Sequence, residues 1–416
     1  MSVRELDRQY LWHPYTQHAI APAPIPIARA EGAVLIDVDG REIIDAISSW
    51  WVTLHGHAQP EIAEAIGRQA RVLEQVIFAG FTHEPAAALA AALAEKLPRG
   101  LTRVFFSDNG STAVEVAIKI ALQYWQNRGQ PRARIAALEH AYHGDTFGAM
   151  SASARGLFTE PFGAHLFEVL RLAESEPDVA LERAISGQQA PIAAVIVEPL
   201  LQGAGGMRMW SEATLRTIRE LTASHGVLLI ADEVLTGFGR TGPLFACEKA
   251  GIVPDIICLS KGLTGGFLPL GATAAREEIF EAFLSTDRRH TLFHGHSFTA
   301  NPIACAAAQA SLALLNDASA ARRAAIERAH RSHLSKIAAH PCVSAPRVLG
   351  TVAAFNLGSA GYLDPVGADL SHFALERGVL LRPLGDVVYV LPPYCTTDAQ
   401  LDQIYGVITE FLDAKG

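Results

Sequence analysis

A lysine and an aspartate that follow two apolar runs are the residues of this sequence best suited to chemistry. Asp232 follows the run 227–231, and Lys261 follows the run 255–260. Both runs have the length and composition of short buried strands. Pyridoxal phosphate requires an amine for its aldehyde and a carboxylate for its ring nitrogen. An isolated lysine is usually a solvated surface charge, and Asp232 could simply end a strand. Because Lys261 also precedes a flexible glycine-rich loop, the pair predicts a site for this cofactor.

A glycine-containing turn into a helix is a second candidate site. The residues Ser-Asp-Asn-Gly-Ser-Thr at 107–112 follow an apolar run that ends at Phe106, and the apolar positions after them have helical spacing. Thr112 and Glu115 fit a capping box. Glycine lets a ligand approach the backbone, and the free N–H groups and positive dipole end of a helix bind phosphate. A well-capped helix without a ligand would explain the same segment.

The pattern of apolar runs predicts the elements that position these residues. Between about His55 and Asn301 short strands alternate with helical stretches, which is typical of an α/β fold with a mostly parallel sheet covered by helices. The predicted strands are 104–106, 135–138, 193–197, 227–231 and 256–259. We predict a large domain over residues 55–304, and a smaller α+β domain from the N-terminal segment 1–54 and the C-terminal segment 305–416.

The composition indicates an enzyme that acts on small metabolites. A chain of 416 residues with 50% hydrophobic residues is long enough for two well-buried cores. A formal net charge of −9 with mixed signs argues against nucleic acid or an anionic membrane as partner. The five cysteines are scattered and lack a CxxC spacing, which favours a reducing cytoplasm. The charged N-terminus and the absence of a long apolar stretch predict neither a signal peptide nor a membrane span.

Two other motifs suggest different chemistry. Residues 237–242 match GxGxxG, the pattern of a nicotinamide-dependent dehydrogenase. Asp232 and Glu233 separate these glycines from the strand, and Pro243 follows where a helix should begin, so this alternative is disfavoured. The histidine pairs have no carboxylate or cysteine ligands at a recognised metal spacing, and we predict no metal site. These pairs are 55/57, 140/143 and 294/296.

As a set, the motifs resemble those of the class-III aminotransferases over nearly the whole chain. They are Asn-Gly-Ser at 109–111, Tyr-His-Gly-Asp at 142–145, Glu-Pro at 198–199, Asp-Glu-Val at 232–234 with the glycines of 237–242, and Ser-Lys-Gly at 260–262. The resemblance implies the fold-type I architecture of pyridoxal-phosphate-dependent transferases.

A narrower group of motifs is similar to the branch of this class that serves biotin synthesis. In that branch S-adenosylmethionine gives its amino group to 8-amino-7-oxononanoate. The motifs are WHPYT at 12–16, SSWW at 48–51, YHGDTFGAMS at 142–151, QGAGGM at 202–207 and Arg-Pro at 382–383.

The resemblance implies the residues that hold the cofactor. Lys261 would join its amine to the aldehyde and later move a proton between substrate and cofactor, and Asp232 would pair with the ring nitrogen. The phosphate and ring contacts would be Gly110, Ser111, Tyr142, His296 and Ser297. Ser297 would reach across a dimer interface. At 296–297 this sequence has His-Ser where the best-known members have Pro-Thr, so the contact of Ser297 rests on the shared hydroxyl.

The same resemblance implies a substrate pocket. Arg382 is the natural clamp for the distal carboxylate of the ketoacid, because a planar guanidinium can bind a carboxylate at two points. Tyr15 would have a catalytic as well as a pocket role, Asp145 would contact an ammonium or hydroxyl group, and Arg240 would contact the carboxylate of the donor. The other pocket residues would be Trp50, Tyr142, Gly295 and Tyr389.

Several alternatives remain open at this stage. The sequence is compatible with lysine as donor in place of S-adenosylmethionine. An ω-amino acid:pyruvate aminotransferase would keep Lys261, Asp232 and Gly110 but would not need Trp50 and Arg382 together. A binding or scaffold protein would have no need for an intact lysine and aspartate. The resemblance further implies a homodimer with active sites between its subunits.

Overall fold

A seven-stranded sheet forms the centre of the computed structural model, which describes residues 1–173, 175–187, 191–358 and 361–415. In chain order the strands are β1 (Ile27–Glu31), β2 (Val34–Asp37), β3 (Glu42–Asp45), β4 (Leu101–Ser107), β5 (Arg134–Leu138), β6 (Leu170–Leu172), β7 (Ile192–Val197), β8 (Leu201–Gln202), β9 (Arg208–Met209), β10 (Leu228–Asp232), β11 (Ile256–Leu259), β12 (Gly271–Arg276), β13 (Ser344–Leu349), β14 (Val352–Asn356), β15 (Val379–Leu380) and β16 (Val387–Val390).

The helices cover this sheet and build the remainder of the chain. They are α1 (Val3–Tyr10), α2 (Ser48–Trp51), α3 (Pro60–Ala70), α4 (Glu84–Lys96), α5 (Gly110–Asn127), α6 (Phe147–Ala152), α7 (Pro177–Ser186), α8 (Glu212–Ser224), α9 (Ala246–Ala250), α10 (Glu277–Glu281), α11 (Pro302–Ala313), α12 (Asp317–Ile337), α13 (Pro365–Glu376) and α14 (Asp398–Lys415). Short 3-10 turns lie at Glu160–His165, Lys261–Thr264, Arg288–His290 and Gly361–Leu363.

The order of the central sheet is β4-β12-β11-β10-β7-β5-β6. All five predicted strands belong to it, and the predicted α/β class with a mostly parallel sheet is confirmed. β12 was not predicted; it is antiparallel to both of its neighbours. Its sequence, GATAAR, lacks the large β-branched and aromatic residues that mark strands, so its pattern carried no strand signal. The three-residue β6 is too short to detect by periodicity.

Apolar side chains are buried on both faces of the sheet. One cluster packs α5 against β5, β7, β10 and β11, and a second packs α4, α8 and α11 against the opposite face. Every residue of β7 and β10 is buried, which explains why these strands are continuous apolar runs without alternation.

Three strand ends meet at one edge of the sheet. Because β12 is antiparallel to both β4 and β11, those two strands are parallel to each other, and β10 is parallel to β11. The carboxyl ends of β4, β10 and β11 therefore point the same way, which is where α/β proteins place their ligands. This edge receives the start of α5, Asp232 and Lys261.

The N-terminal strands share a sheet with the C-terminal part of the chain. β15 pairs in parallel with β3, with Val379 opposite Ile44 and Leu380 opposite Asp45. Ile44 also belongs to an apolar cluster with residues of α12, α13 and α14. The division into segments 1–54, 55–304 and 305–416 stays a prediction. Helix α11 crosses its second boundary and packs against α3 and α4, so we propose that boundary beyond Ala313.

Across the described ranges, no helix has both the length and the apolar character needed to cross a membrane. All five cysteines are free thiols. The same part of the chain has no cluster of three or more histidine, cysteine and acidic residues that could hold a metal ion.

Candidate active site

Lys261 and Asp232 line one cavity of about 660 Å³ at the carboxyl edge of the sheet. β10 and β11 are adjacent, and Asp232 lies in register with Cys258, three residues before the lysine. Lys261 opens a 3-10 turn with a left-handed φ of 42°, a strained conformation for a residue with a side chain. Its Nζ lies 4.5 Å from the centre of the Trp51 ring. The sequence-based pairing of these two residues is therefore reproduced in space.

Burial makes Lys261 a more acidic amine than a surface lysine. Loss of hydration is the main cause that lowers the pKa of its ammonium group, Arg240 nearby contributes a smaller lowering, and the resulting pKa is about 8. The carboxylates of Asp232 and Glu198 act in the opposite direction and keep the pKa from falling more. A substantial fraction of the amine is neutral near physiological pH, which a nucleophile or base requires.

A histidine orients Asp232. His143 Nδ1 lies 2.6 Å from Asp232 Oδ2, and the Val234 N–H donates to Asp232 Oδ1 at 3.1 Å. Both side chains are buried. His143 Nε2 has no hydrogen-bond partner within the described ranges. The sequence analysis placed His143 in a family motif and in a histidine pair but assigned it no role, and no local signal linked it to a strand end 89 residues away.

The turn before α5 leads into a capped helix, but its cap differs from the prediction. The capping box predicted from Thr112 to Glu115 is wrong, because the N-cap is Asn109, three residues earlier. Asn109 Oδ1 accepts the Thr112 N–H at 2.9 Å, and Thr112 Oγ1 accepts the Asn109 N–H at 3.1 Å. Asparagine caps a helix as well as threonine does. The N–H groups of Gly110 and Ser111, at the first turn of α5, have no acceptor within the helix.

Glu115 does not cap α5 as predicted but accepts hydrogen bonds from the start of α6 and from Thr146. Its carboxylate accepts the N–H groups of Gly148 at 2.6 Å and Ala149 at 3.0 Å, at the start of α6. It also accepts the Thr146 hydroxyl at 2.5 Å. Because Thr146 Oγ1 lies 2.7 Å from Ser111 Oγ, this carboxylate ties the loop 142–146 to the beginning of α5.

Two glycines allow close packing in this cradle. A Cβ on Gly110 would lie 2.6 Å from Val234 Cγ1. Gly144 has a φ of 127°, and a Cβ there would overlap both the side chain and the Cα of Ser111. Only glycine fits these positions, and the open backbone between them suits a phosphate.

Tyr142 lines the cavity, and Tyr15 lies beside it. The Tyr15 hydroxyl donates to Asp145 Oδ2 and lies 3.5 Å from the Tyr142 hydroxyl. Burial and the bond to Asp145 raise the pKa of Tyr15 to about 12, and burial raises the pKa of Tyr142 as well. Both phenols stay protonated at neutral pH. The predicted residues Tyr15, Tyr142 and Asp145 thus lie together, and Tyr142 offers an aromatic face beside Lys261 and Asp232.

Trp50 and Arg382 are also in contact. The Arg382 guanidinium carbon lies 4.3 Å from the centre of the Trp50 ring, and the rings of Tyr15 and Trp50 are 5.7 Å apart. Trp50 is 40% exposed, so this pair lies at the open side of the site. A guanidinium stacked on an indole has a fixed plane, which favours binding a carboxylate at two points.

Eight predicted residues do not line this cavity in the single chain. Three of them, Tyr15, Trp50 and Arg382, are joined to its wall through the contact of Tyr15 with Asp145. Tyr389 lies behind Trp51, whose Nε1–H donates to its hydroxyl at 3.0 Å. Arg240 is buried and donates to backbone carbonyls, including that of Pro392 at 2.9 Å. The other three, Gly295, His296 and Ser297, lie in the segment 293–298, where the Ser297 carbonyl accepts from Gln75 at 2.9 Å. The predicted role of Ser297 involves a second subunit, and the roles of all three residues stay predictions.

Trp51 and Glu198 line the cavity, and the sequence analysis assigned neither of them a role. Trp51 was part of the SSWW motif, but only its neighbour Trp50 was assigned to the pocket. Glu198 accepts the N–H groups of Tyr142 and Gly203, each at 3.0 Å. Burial raises the pKa of Glu198 to about 7. The Glu-Pro motif at 198–199 marked this residue in the sequence, but its contacts with the loops of Tyr142 and Gly203 could be found only from the structure.

The residues present fit a planar pyridine aldehyde that carries a phosphate. A model of the family described as aminotransferase class-III matches residues 15–412. The chain belongs to the class-III aminotransferases. It is 54% identical to an adenosylmethionine-8-amino-7-oxononanoate aminotransferase from Synechococcus elongatus, over 97% of this chain and 98% of that protein. A relative of the same name from Mycobacterium leprae is 40% identical over 99% of this chain and 97% of its own length.

Solved structures of aminotransferases have the same fold. The adenosylmethionine-8-amino-7-oxononanoate aminotransferase from Methanocaldococcus jannaschii superposes with a TM-score of 0.93 at 34% identity, covering 98% of each chain. An omega transaminase from Pseudomonas jessenii in complex with PMP gives a TM-score of 0.94 at 28% identity, covering 100% of this class-III chain and 98% of that one. The expected family and fold are confirmed.

Proposed function

We propose that this aminotransferase uses pyridoxal phosphate to convert 8-amino-7-oxononanoate into 7,8-diaminononanoate in biotin biosynthesis, with S-adenosylmethionine as the amino donor. The observation that carries the proposal is the cavity shared by Lys261 and Asp232, to which the Trp50–Arg382 pair is connected through Tyr15 and Asp145. The names of the full-length relatives agree with it.

The residues around the cavity supply each contact that this cofactor needs. Asp232, held by His143, would pair with the ring nitrogen, and Tyr142 would stack on the ring. The N–H groups of Gly110 and Ser111 would hold the phosphate at the start of α5. When bound, pyridoxal phosphate supplies an aldehyde that exchanges amines and a ring that accepts electrons.

Lys261 would both carry the cofactor and move protons. Its Nζ can accept a proton from the substrate carbon and return it, because burial keeps the pKa of this amine near 8. The Trp51 ring, 4.5 Å from the Nζ, limits where the amine can move. Tyr15, with its hydroxyl bonded to Asp145, would position the amino group of the substrate.

Arg382 would bind the acceptor. A ketoacid with a distal carboxylate can place that group on the guanidinium while its carbonyl points toward Lys261. The hydrocarbon chain between the two groups would lie along the aromatic wall of Tyr15 and Trp50. Because the pair Trp50–Arg382 recognises a carboxylate far from the reacting carbon, it favours this acceptor over pyruvate.

The carrier role of Lys261 is tested by replacing it. Lys261→Ala should abolish turnover and the visible absorbance that borohydride fixes onto the wild-type chain, whereas Lys96→Ala at the end of α4 should retain both. Full activity of Lys261→Ala would refute the assignment.

The donor and acceptor are tested with the purified holoenzyme. Addition of S-adenosylmethionine should convert the visible band to that of the aminated cofactor, and 8-amino-7-oxononanoate should restore it. If lysine converts the band and S-adenosylmethionine does not, lysine is the donor. If pyruvate restores the band as fast as 8-amino-7-oxononanoate, the chain is instead an ω-amino acid:pyruvate aminotransferase.

A homodimer would complete the site. Gly295, His296 and Ser297 lie outside the cavity of their own chain, and Phe293 and Phe298 beside them are exposed. An apolar segment of this kind suits a subunit contact. The five free thiols suit a cytoplasmic location. Light scattering at micromolar concentration should give twice the mass of one chain, and Ser297→Ala should weaken cofactor binding.

A further inference from the structure

The loop between β5 and α6 carries side chains of the candidate active site. Tyr142 and Asp145 line the cavity, and His143 orients Asp232. Residues 141–146 form neither a helix nor a strand, so no regular backbone hydrogen bonding holds this loop in place. Its position must therefore be set by side-chain contacts, and several of these lead to one helix, α5.

Glu115 of α5 holds the end of this loop. Its Oε1 accepts the Thr146 hydroxyl at 2.5 Å, the Gly148 N–H at 2.6 Å and the Ala149 N–H at 3.0 Å. The two amides belong to the first turn of α6 and have no acceptor within that helix, and a negative charge is favourable at a helix start. The carboxylate therefore joins α5 to both the loop and the helix that follows it.

Gly148 lets this carboxylate approach the backbone closely. A Cβ at Gly148 would lie 2.1 Å from Glu115 Oε2, a separation that no side chain tolerates. The contact of Glu115 with the start of α6 thus requires glycine at this position and leaves the carboxylate little freedom to move.

Thr146 passes the contact on to Ser111. A hydroxyl has a single proton, and Thr146 donates its proton to Glu115, so in the 2.7 Å contact between Thr146 Oγ1 and Ser111 Oγ the donor must be Ser111. Ser111 Oγ in turn accepts the Thr146 N–H at 3.0 Å. Two hydrogen bonds to one residue fix the Ser111 oxygen, while its proton can turn toward a phosphate oxygen without any movement of the oxygen.

The three side chains form a series. Ser111 and Glu115 are four residues apart on α5, which places them on the same face of the helix. Thr146 contacts both of them and lines the cavity, as Ser111 does. Glu115 contacts Thr146 from outside the cavity wall, so it can act on a bound molecule only through its neighbours.

We propose that Glu115 is a positioning residue of the phosphate cradle, which consists of the start of α5 and the loop 142–146. Its carboxylate holds Thr146, and Thr146 holds the Ser111 hydroxyl and the end of the loop. The inference rests on the proposed function, because the phosphate in question is that of pyridoxal phosphate. The tether itself does not depend on the reaction and can be tested apart from it.

Hydrogen exchange on the full-length apoenzyme tests the tether. The amides of Thr146, Gly148 and Ala149 are bonded to side chains of α5. In Glu115→Ala, peptides that cover residues 144–150 should exchange at least about tenfold faster than in the wild type, while peptides from β7 and β10 should keep their wild-type exchange. Wild-type exchange over 144–150 in this variant would overturn the tether.

A comparison of two aldehydes tests the role in the cradle. Absorbance titration of the apoenzyme with pyridoxal phosphate should give a dissociation constant about 10- to 100-fold higher in Glu115→Ala, because a hydrogen-bonded charge that orders the cradle is lost. Pyridoxal, which has no phosphate, should bind to this variant as it does to the wild type. Equal losses for both aldehydes would show general damage to the variant and contradict the proposal.

Two carboxylate variants accompany this comparison. Glu115→Gln keeps an acceptor oxygen of the same reach but not the charge, so its affinity for pyridoxal phosphate should fall between those of the wild type and Glu115→Ala. Asp37 supplies the matched control, because its Oδ1 accepts the N–H groups of Asp39 and Arg41, each at 2.9 Å, at a hairpin of the N-terminal sheet. Asp37→Asn should change neither affinity, and a loss as large as that of Glu115→Ala would contradict the role of Glu115.

Thr146→Val covers the case in which Glu115→Ala folds poorly. It removes the hydroxyl that joins Glu115 to Ser111 and leaves the contacts of Glu115 with α6. Its affinity for pyridoxal phosphate should fall about tenfold, whereas Thr146→Ser should keep the wild-type affinity. Thr217→Val, which removes a hydroxyl that donates to the Ala213 carbonyl within α8, should have no effect. Wild-type affinity in Thr146→Val would overturn the proposal.

A double variant decides whether Glu115 acts through Thr146. The loss of affinity in Glu115→Ala, Thr146→Val should equal that in Glu115→Ala, because both changes break one series of contacts. Losses that multiply, or a loss in Thr146→Val without one in Glu115→Ala, would show that Thr146 acts on the phosphate by itself and would overturn the proposal. If the wild type binds pyridoxal phosphate no better than pyridoxal, the proposed function fails, while hydrogen exchange still decides the tether.

Discussion

His143 Nδ1 lies 2.6 Å from Asp232 Oδ2, and both side chains are buried beside Lys261. The hydrogen bond between the imidazole and Asp232 fixes the orientation of the carboxylate at the cavity wall. His143 thus orients the carboxylate of Asp232. If Asp232 pairs with the nitrogen of the cofactor ring as proposed, the strength of that contact depends on both side chains.

Removing the charge of Asp232 should weaken the electron sink. Asp232→Asn should still bind pyridoxal phosphate but lose about 3 kcal/mol of transition-state stabilisation, roughly a hundredfold in kcat, because a charge-assisted hydrogen bond becomes a neutral one. His143→Gln should have a smaller effect, since the carboxylate remains. Single-turnover rates measure both, and an unchanged rate in Asp232→Asn argues against its role.

The rate of cofactor attachment should depend on pH through Lys261. Only the neutral amine attacks an aldehyde, and burial lowers the pKa of this lysine from its ordinary 10.5 to about 8. The neutral fraction therefore rises about tenfold for each pH unit below 8 and is nearly complete one unit above it. Stopped-flow absorbance of apoenzyme mixed with pyridoxal phosphate should show a rate that climbs to pH 8 and then levels off.

Glu198 provides the control for this pH profile. Its carboxylate raises the pKa of Lys261, so Glu198→Gln should move the midpoint of the profile to lower pH. A rate that continues to climb toward pH 10.5 in the wild type would show that the lysine is not perturbed.

Arg382 should discriminate between the two substrates. Arg382→Ala should raise KM for 8-amino-7-oxononanoate by about a hundredfold, because a bidentate charge-assisted contact is lost. The same variant should raise KM for the donor far less. Arg382→Lys should fall between wild type and alanine, since an ammonium group cannot present two parallel donors. An equal rise for both substrates in Arg382→Ala removes the carboxylate clamp from the proposal.

Gly144 should be required for phosphate binding. An alanine there would adopt an unfavourable positive φ and overlap Ser111, so the cradle must open to accommodate it. Gly144→Ala should weaken the affinity for pyridoxal phosphate by roughly 10- to 100-fold, as a strain of about 1–3 kcal/mol implies. Absorbance titration of the apoenzyme measures this affinity. Gly67→Ala, in open space within α3, should leave it unchanged, and equal affinity in both variants contradicts the role of Gly144.

The sequence predicted the parts of the site that follow from local pattern. Lys261 and Asp232 were identified because each follows a buried strand, and such strands are recognisable as short apolar runs. The helix after Phe106 was identified in the same way. The cap was misplaced because Asn109 and Thr112 are both good cap residues, and only the backbone conformation at Asn109 distinguishes them.

The remaining parts depend on contacts between distant segments. His143 meets Asp232, Glu198 joins the loops of Tyr142 and Gly203, and Trp51 lies under Lys261, all across long stretches of chain. β12 was missed because alanine and glycine carry little strand preference. Small residues are common in a strand that is buried on both faces, because the available space limits side-chain size there more than strand propensity does.

The unpredicted strand β12 acts as a spacer of fixed width. It lies between β4, which leads into the turn before α5, and β11, which leads into Lys261. These two strands are therefore two strand spacings apart, roughly 10 Å. Gly271, the first residue of β12, packs directly on the Asn109 carbonyl and admits no side chain. The hydrogen-bonded sheet therefore fixes the distance between the start of α5 and the Lys261 amine. Under the proposed assignment, a cofactor would have to match that distance.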